Sequence, residues 1–168
     1  MSVVIEAKNL RRRFGDVEAV KGVDFHVKKG KCVGLLGPNG AGKTTTMRMI
    51  MGMSEPSDGV LSVFDTPVEK LDRHNKARIG LVPQEDNLDP DLSVEQNLDV
   101  YGSYFGLPRQ LVQERAAMLL KFMELTEKNA ANVRALSGGM KRRINIAVGL
   151  IHRPPVLYMD EPTVGVDP

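Results

Sequence analysis

The stretch Gly37-Pro38-Asn39-Gly40-Ala41-Gly42-Lys43-Thr44 decides the fold of this chain. It fits the pattern of a glycine, four residues and then Gly-Lys-Thr, which wraps the phosphates of a nucleoside triphosphate. The apolar run before it, residues 32–36, predicts a buried strand, and residues 45–51 after it predict a helix. Strand, glycine loop and helix in this order form the context that the motif requires. The alternative, a plain glycine-rich turn, leaves the paired Lys43 and Thr44 unexplained.

Each residue type in this loop has a chemical reason. Tight curvature turns successive backbone N–H groups toward phosphate oxygens, and glycines permit that path because they lack a Cβ. The start of the following helix adds unpaired N–H groups and a partial positive charge. Lys43 is expected to bridge the β- and γ-phosphates in catalysis, and the Thr44 hydroxyl to bind Mg²⁺. The predicted nucleotide-binding residues here are Gly37, Pro38, Asn39, Gly40, Ala41, Gly42, Lys43, Thr44 and Thr45.

Composition is that of an ordinary soluble domain. Of the 168 residues, 42% are hydrophobic and 26% charged, and the net charge of +2 is too mild to predict a nucleic-acid partner. The single cysteine, Cys32, excludes an internal disulfide and is expected to be a small buried hydrophobe. The sequence shows no signal peptide and no apolar run long enough to span a membrane, so the chain is expected to be soluble when isolated.

Hydrophobic patterns predict one α/β domain with an inserted helical part. Strands are expected at residues 3–10, 17–27, 60–64, 78–82 and 156–159, with Arg11, Arg12 and Arg13 in a solvated turn at 11–16. Helices are expected at 94–104 and 110–125, and another after Gly138. We therefore divide the domain into a β subdomain with the glycine-loop core (1–85), a helical subdomain (86–135) and a C-terminal part (136–168).

Two further groups of residues are candidates for metal binding, catalysis and anion binding. A predicted strand ends in Asp160 and Glu161, so Asp160 is expected to reach Mg²⁺ through water, and Glu161 to polarise the water that attacks the γ-phosphate. Residues 136–140 place a serine and two glycines at a helix start, which is a second anion-binding arrangement. One nucleotide does not need two such loops, so this loop is expected to serve the nucleotide of a second copy. The alternative is a helix cap by Ser137.

Together these motifs resemble the ATP-binding cassette of ABC transporters along essentially the whole chain. The glycine loop matches Walker A, residues 136–140 the signature loop, and residues 156–161 Walker B. Gln84 matches the Q-loop glutamine, residues 164–167 the D-loop, and Phe14 the aromatic that stacks on adenine. The resemblance implies a P-loop NTPase core with a mostly parallel sheet, an N-terminal antiparallel β subdomain and an inserted helical subdomain.

The resemblance also implies a mechanism. ATP and Mg²⁺ are the expected cofactors, and two cassettes pair head to tail as a homodimer, so that Ser137, Gly138 and Gly139 bind the partner's nucleotide. Glu161 is the expected general base. Gln84 is an expected catalytic residue and metal ligand that communicates with a separate transmembrane permease subunit. The protein would lie peripherally on the cytoplasmic face of the cell membrane.

Residues 87–89 and 137–143 are similar to exporter ATPases of the drug-resistance and nodulation-factor type, with Met140 and Val164 as departures from the common family pattern. The family continues beyond its D-loop to a switch histidine, a position that none of His26, His74 or His152 occupies. A C-terminal truncation is therefore expected, which would leave residues 32–36 as an unpaired edge and impair ATP hydrolysis.

Three side chains are given structural roles: His152 as a solvated helix-end residue, and Arg142 and Arg143 as surface or inter-subunit contacts. Three other functions stay open: a soluble cassette ATPase without a membrane partner, a small-molecule kinase, and a nucleotide-binding fragment without turnover.

Overall fold

The computed structural model describes residues 2–160, and the chain divides into two compact units, residues 1–76 and 77–168. The first unit is built on a four-stranded sheet. Its strands are β1 (Val3–Phe14), β2 (Val17–Lys28), β3 (Asp58–Val63) and β4 (Thr66–Pro67), in the order β2-β1-β3-β4, and each neighbouring pair is antiparallel.

Strand β1 continues through the arginine run, so the predicted turn at residues 11–16 is wrong. Arg12 pairs in register with Val20 of β2, and only Gly15 and Asp16 form the turn. Alternation along the strand separates the three arginines between its two faces. The guanidinium groups of Arg11 and Arg13 both lie near Glu18 Oε1, at 2.9 and 3.7 Å. Cross-strand pairing therefore accounts for a charge run that the local pattern assigned to a turn.

Helix α1 (Lys43–Ile50) packs on β2 and β3 and begins directly after the glycine loop. Thr46, Met49 and Ile50 are its buried residues. The helix starts at Gly42, which has a positive φ of 83°, and a Cβ built there would lie 2.3 Å from the Ala19 carbonyl oxygen. Only glycine meets both conditions, so the close approach of the loop to β2 fixes where α1 begins.

The strand predicted at residues 32–36 is not formed. None of residues 31–38 has regular secondary structure, and none of the strands described between residues 2 and 160 pairs with them. Cys32 is exposed, contrary to the prediction of a buried thiol, and Leu36 is 95% exposed. A parallel strand needs a neighbour to satisfy its backbone, and an apolar run alone cannot supply one.

The second unit contains the parallel pair β5 (Ile79–Val82) and β6 (Val156–Met159), with Val82 opposite Met159. A short helix α2 (Arg73–Lys76) ends the first unit, and helices α3 (Val94–Tyr104), α4 (Arg109–Phe122) and α5 (Gly138–Leu150) belong to the second. The three long helices share a core with Leu98, Leu120 and Ile144 at its centre. Predicted and observed bounds agree at residues 94–104 and 156–159.

Helix α5 lies against β5 at very short range. A Cβ added at Gly80 would be 2.5 Å from the carbonyl oxygen of Gly149, and one added at Gly149 would be 2.7 Å from Val82 Cγ2. These two glycines therefore allow the helix and strand backbones to approach. Within residues 2–160, no helix is both long and apolar enough to cross a lipid bilayer.

Candidate functional site

The glycine loop of the first unit is closed by its own lysine. Lys43 Nζ donates hydrogen bonds to the carbonyl oxygens of Gly37 and Pro38, at 2.7 and 3.0 Å. The Ala41 amide donates to Pro38 O at 3.2 Å, which forms a turn inside the loop. Both lysine bonds are exposed, so they cost little to exchange for phosphate oxygens. The ammonium group therefore stands over the loop at the place where a phosphate chain would need a positive charge.

The N-terminus of α1 is prepared for an anion. Its first turn contains no acidic residue, and its first intrahelical bond runs from the Thr46 amide to Gly42 O, at 2.8 Å. The amides of Lys43, Thr44 and Thr45 precede that bond and have no partner within the helix. These N–H groups, the helix dipole and Lys43 all favour negative charge at the same end.

Thr44 and Asp160 each carry an oxygen of the kind that binds Mg²⁺. Thr44 is exposed in the first turn of α1, and Asp160 follows β6 in the second unit. Among residues 2–160, no three His, Cys, Asp or Glu side chains form a group that could hold a metal. Mg²⁺ retains several waters and needs only one or two protein oxygens besides substrate phosphates. The residues therefore fit Mg²⁺ delivered with a triphosphate.

Phe14 ends β1 next to the hairpin turn and is 51% exposed. The guanidinium carbon of Arg12, two residues earlier on the same face, lies 4.6 Å from the centre of its ring. Arg12 Nη1 also donates to Glu55 O at 2.7 Å, which anchors the cation. Cation–π attraction of this kind holds the ring against Arg12. Phe14 is thus a supported aromatic surface, as a base-stacking role requires.

At the carboxyl end of β6, Asp160 extends the strand pairing, because its amide donates to Val82 O at 2.9 Å. Burial raises the pKa of Tyr158 to about 12, and the neighbouring Asp160 carboxylate adds to the shift. Tyr158 therefore stays neutral at physiological pH. Glu161 and the D-loop match at 164–167 lie outside the described residues.

Gln84 follows β5 at the same sheet edge as Asp160, because the two parallel strands end together. Gln84 and Glu85 are exposed, but the residues beyond them are held in place. Asn145 of α5 donates from Nδ2 to Asp86 Oδ1 at 2.9 Å, and Asn97 of α3 accepts from the Asp89 amide at 2.8 Å. Leu88 is buried in the helical core. The segment after Gln84 is therefore fastened to two helices.

Ser137 caps α5, since its hydroxyl oxygen accepts from the Met140 amide at 3.3 Å. Leu136 is buried, whereas Ser137 and Gly138 are exposed and Gly139 is half-buried. The cap agrees with the plainer of the two interpretations of this loop. The exposure leaves the same residues accessible to a second molecule, so the two interpretations do not exclude each other.

The surface position predicted for Arg142 is wrong, and its role was missed. Arg142 is 6% exposed, its Nη2 donates to Asp160 O at 2.8 Å, and its Nη1 donates to Pro83 O. Asn145, one turn further along α5, is 3% exposed. Arg143 instead donates from Nη1 to Met123 O at 2.8 Å, just past α4. The sequence signal for these side chains was the presence of two polar residues, Arg142 and Asn145, on the core-facing side of α5.

His152 is not a solvated helix-end residue either, because both ring nitrogens are buried and the ring stacks on Phe105.

The predicted site residues fall into two groups. The loop 37–45 and Phe14 belong to the first unit, while Gln84, Ser137, Gly138, Gly139 and Asp160 belong to the second. Within the second unit, α5 and the paired strand ends bring Gln84 and Asp160 together.

Comparison with known proteins extends this description. A family model described as ABC transporter matches residues 20–164. The Nod factor export ATP-binding protein I of Ralstonia nicotianae is 49% identical over 165 residues, covering 98% of this chain and 51% of the relative. The protein of the same name from Burkholderia orbicola is 50% identical over 169 residues, covering 100% of this chain and 56% of the relative. The chain thus spans about half the length of these curated relatives.

Solved structures agree with the predicted fold class. The structure of cbiO1 from Clostridium perfringens, part of the ABC transporter complex cbiONQ, aligns with a TM-score of 0.89 at 29% identity, covering 99% of this chain and 68% of that chain. The ATP binding subunit of an ABC transporter aligns at 0.86 and 28% identity, covering 98% of this chain and 69% of that chain. The predicted α/β fold, with an antiparallel β subdomain and a P-loop NTPase core, is confirmed. The chain therefore belongs to the ABC transporter family, as an ATP-binding domain.

Proposed function

We propose that this domain binds and hydrolyses ATP with Mg²⁺ to power an export-type membrane transporter. The observation that carries the proposal is the closed glycine loop, in which Lys43 Nζ lies 2.7 Å from Gly37 O. The first turn of α1, which begins at this lysine, contains no acidic residue. Only a polyanion uses the backbone amides, the helix dipole and the ammonium group together. A triphosphate of a purine base adds a use for the exposed ring of Phe14.

Each side chain then has one task. Lys43 leaves the loop carbonyls and neutralises the β- and γ-phosphates, while Phe14 receives the adenine ring. Thr44, Asp160 and Gln84 are the side chains that would hold Mg²⁺, and the ion would spread the charge that develops on the transferred phosphoryl group. Glu161 accepts a proton from the attacking water.

Turnover in this proposal requires a second copy. Ser137, Gly138 and Gly139 cap the partner's γ-phosphate in a head-to-tail homodimer, which accounts for the exposure of Ser137 and Gly138 at a helix start. ATP binding favours the closed pair and hydrolysis reopens it, so the nucleotide shifts a two-state equilibrium. A separate transmembrane permease subunit would receive that motion near Gln84 and the helical residues 86–104. The protein would then sit on the cytoplasmic face of the membrane.

The export direction rests on relatives. Two proteins named for Nod factor export are 49% and 50% identical to this chain, and residues 87–89 and 137–143 carry the matching local pattern.

The test of nucleotide chemistry uses three single variants of the full-length protein. Lys43→Ala is expected to weaken ATP binding by about tenfold or more, because a charge-assisted contact to phosphate is lost. Lys31→Ala removes the same charge from an exposed position outside the loop and should bind ATP as the wild type does. Equal affinity of the wild type and Lys43→Ala would overturn the assignment of the loop.

The third variant separates binding from turnover. Glu161→Gln should retain ATP binding and lose hydrolysis, because the amide cannot accept the proton of the attacking water. ATP-dependent dimers of Glu161→Gln, detected by light scattering, are the expected sign of the closed pair. Copurification with a polytopic membrane protein from a neighbouring reading frame would support the transporter role, and ATP turnover with no such partner would favour a soluble cassette ATPase.

A further inference from the structure

One buried guanidinium joins three functional segments of the second unit. Arg142 lies in the second turn of α5, the helix that starts at Ser137, and donates from Nη1 to Pro83 O and from Nη2 to Asp160 O. Pro83 directly precedes Gln84, and Asp160 is the predicted metal ligand. The helix of the signature loop is thereby bonded to the first residue beyond each of the two parallel strands.

The same helix holds the other side of Gln84. Asn145 donates from Nδ2 to Asp86 Oδ1 at 2.9 Å, and that carboxylate oxygen also accepts from the Leu88 amide at 3.1 Å. Pro83 and Asp86 are thus fastened to α5, while Gln84 and Glu85 between them are exposed. Only two residues separate the fastened points, so a displacement of α5 must be transmitted to Gln84.

The link that Arg142 makes between Pro83 O and Asp160 O requires arginine. A guanidinium group keeps its charge at any physiological pH and presents two divergent Nη donors, whereas the lysine ammonium group is a single point on a shorter arm. Burying a charge is costly unless it is paired or well hydrogen-bonded, and the two main-chain carbonyl groups supply charge-assisted bonds. A side chain that served packing alone would be apolar at this depth.

We propose that Arg142 is a positioning residue for ATP hydrolysis, which couples the signature helix to Gln84 and to Asp160 by bonding the backbone at both strand ends. The inference rests on the proposed function, since it assigns a role within the same site. Both Nη groups of Arg142 bond main-chain carbonyl oxygens, so its effect would act through the backbone. Arg142 sets the placement of Gln84 and Asp160, the two groups that would hold Mg²⁺, and small displacements of such groups slow chemistry more than they weaken binding.

The test compares Arg142→Lys and Arg142→Met with Arg143→Met in the full-length protein. Arg143 is the adjacent arginine of α5 and bonds only toward α4 among the contacts described, through Met123 O at 2.8 Å. In Arg142→Lys, kcat should fall about tenfold or more while KM for Mg·ATP changes less than about twofold. In Arg142→Met, kcat should fall further. Arg143→Met should lower the melting temperature and leave kcat of the folded protein unchanged.

The outcomes separate a failure of the positioning role from a failure of the proposed function. Wild-type kcat in both Arg142 variants, measured below their melting temperatures, would overturn the positioning role while leaving the proposed function intact. A raised KM with unchanged kcat, or an equal loss of kcat in Arg143→Met, would also overturn it. If Arg142→Met fails to fold, Arg142→Lys decides the question. A wild-type protein without ATP turnover would instead overturn the proposed function and this inference with it.

Discussion

The imidazole of His152 stacks on the ring of Phe105, with the ring centres 3.6 Å apart and the planes 5° from parallel. Burial lowers the pKa of His152, the nearby Ile79 backbone opposes the shift in part, and the positive charge of Arg115 adds to the lowering. The folded protein therefore binds the His152 proton more weakly than the unfolded chain does.

This shift predicts a pH-dependent stability. An unfolded histidine has a pKa of about 6.5, so the contribution of neutral His152 is complete above that pH and is lost as the pH falls toward the lower pKa of the folded state. The free energy of unfolding should decrease as the pH falls below about 6.5, at no more than about 1.4 kcal/mol per pH unit, the limit for one proton. Urea denaturation across this range would measure it.

The matched variants are His152→Gln and His74→Gln. His152→Gln removes the buried titrating group and should flatten the slope, whereas His74→Gln removes an exposed imidazole and should leave it as in the wild type. A wild-type slope in His152→Gln would show that other groups cause the pH dependence.

Gly42→Ala is predicted to destabilise the first unit more than Gly40→Ala. Both glycines have a φ of 83°, but a Cβ at position 42 would lie 2.3 Å from Ala19 O, while one at position 40 would meet no atom within 4 Å. Gly40→Ala should cost about 1 kcal/mol from backbone strain alone, and Gly42→Ala about 2 kcal/mol or more. Denaturation without nucleotide measures both, and equal losses would refute the contact as the cause.

The sequence predicted most of the elements because their signals are local. The bounds of α3 and β6 follow from apolar runs with breakers beside them, including Pro154 and Pro155 before β6. The glycine loop was also predictable, because the spacing of its glycines and Lys43 is a local sequence pattern. Gly42 in this pattern has a positive φ of 83°, which glycine adopts readily.

The failures share a non-local cause. Arg12 became a strand residue through pairing with Val20, and residues 32–36 remained irregular because none of the described strands pairs with them. Arg142 was assigned to the surface from its charge, whereas its two carbonyl partners lie 59 and 18 residues away in sequence. Periodicity reports which face of a helix is apolar, and it does not report that distant carbonyl groups can satisfy a cation there.

Phe14→Ala is predicted to weaken binding of ATP but not of inorganic triphosphate. The ring supported by Arg12 at 4.6 Å would contribute base stacking, which is worth about 1–3 kcal/mol per base. ATP affinity should therefore fall about tenfold, as measured by competition with a fluorescent nucleotide, while Phe14→Tyr should stay near the wild type. Val17→Ala is the control, because Val17 pairs with Phe14 across the hairpin and is 65% exposed. An equal loss for inorganic triphosphate would place the effect in the loop instead.

Asn97→Leu is predicted to loosen the segment that follows Gln84. Asn97 is 1% exposed, and its side chain accepts from the Asp89 amide at 2.8 Å and donates to the carbonyl oxygens of Asp89 and Ser93 at 3.1 and 3.0 Å. Leucine has a similar volume but leaves the Asp89 amide without its acceptor, which costs about 1–3 kcal/mol if water does not reach it. The Asp89 and Ser93 carbonyl oxygens lose the Asn97 amide group as a donor and keep one backbone donor each, the amides of Leu92 and Asn97. The denaturation midpoint should fall, and amide exchange at residues 86–91 should accelerate.

The control is Asn129→Leu, which loses one bond of 3.2 Å to Glu95 and should change both the midpoint and the exchange much less. If both variants lost the same stability, the loss would reflect the replacement of an asparagine by an apolar side chain, and the three bonds of Asn97 would not be what fixes the segment.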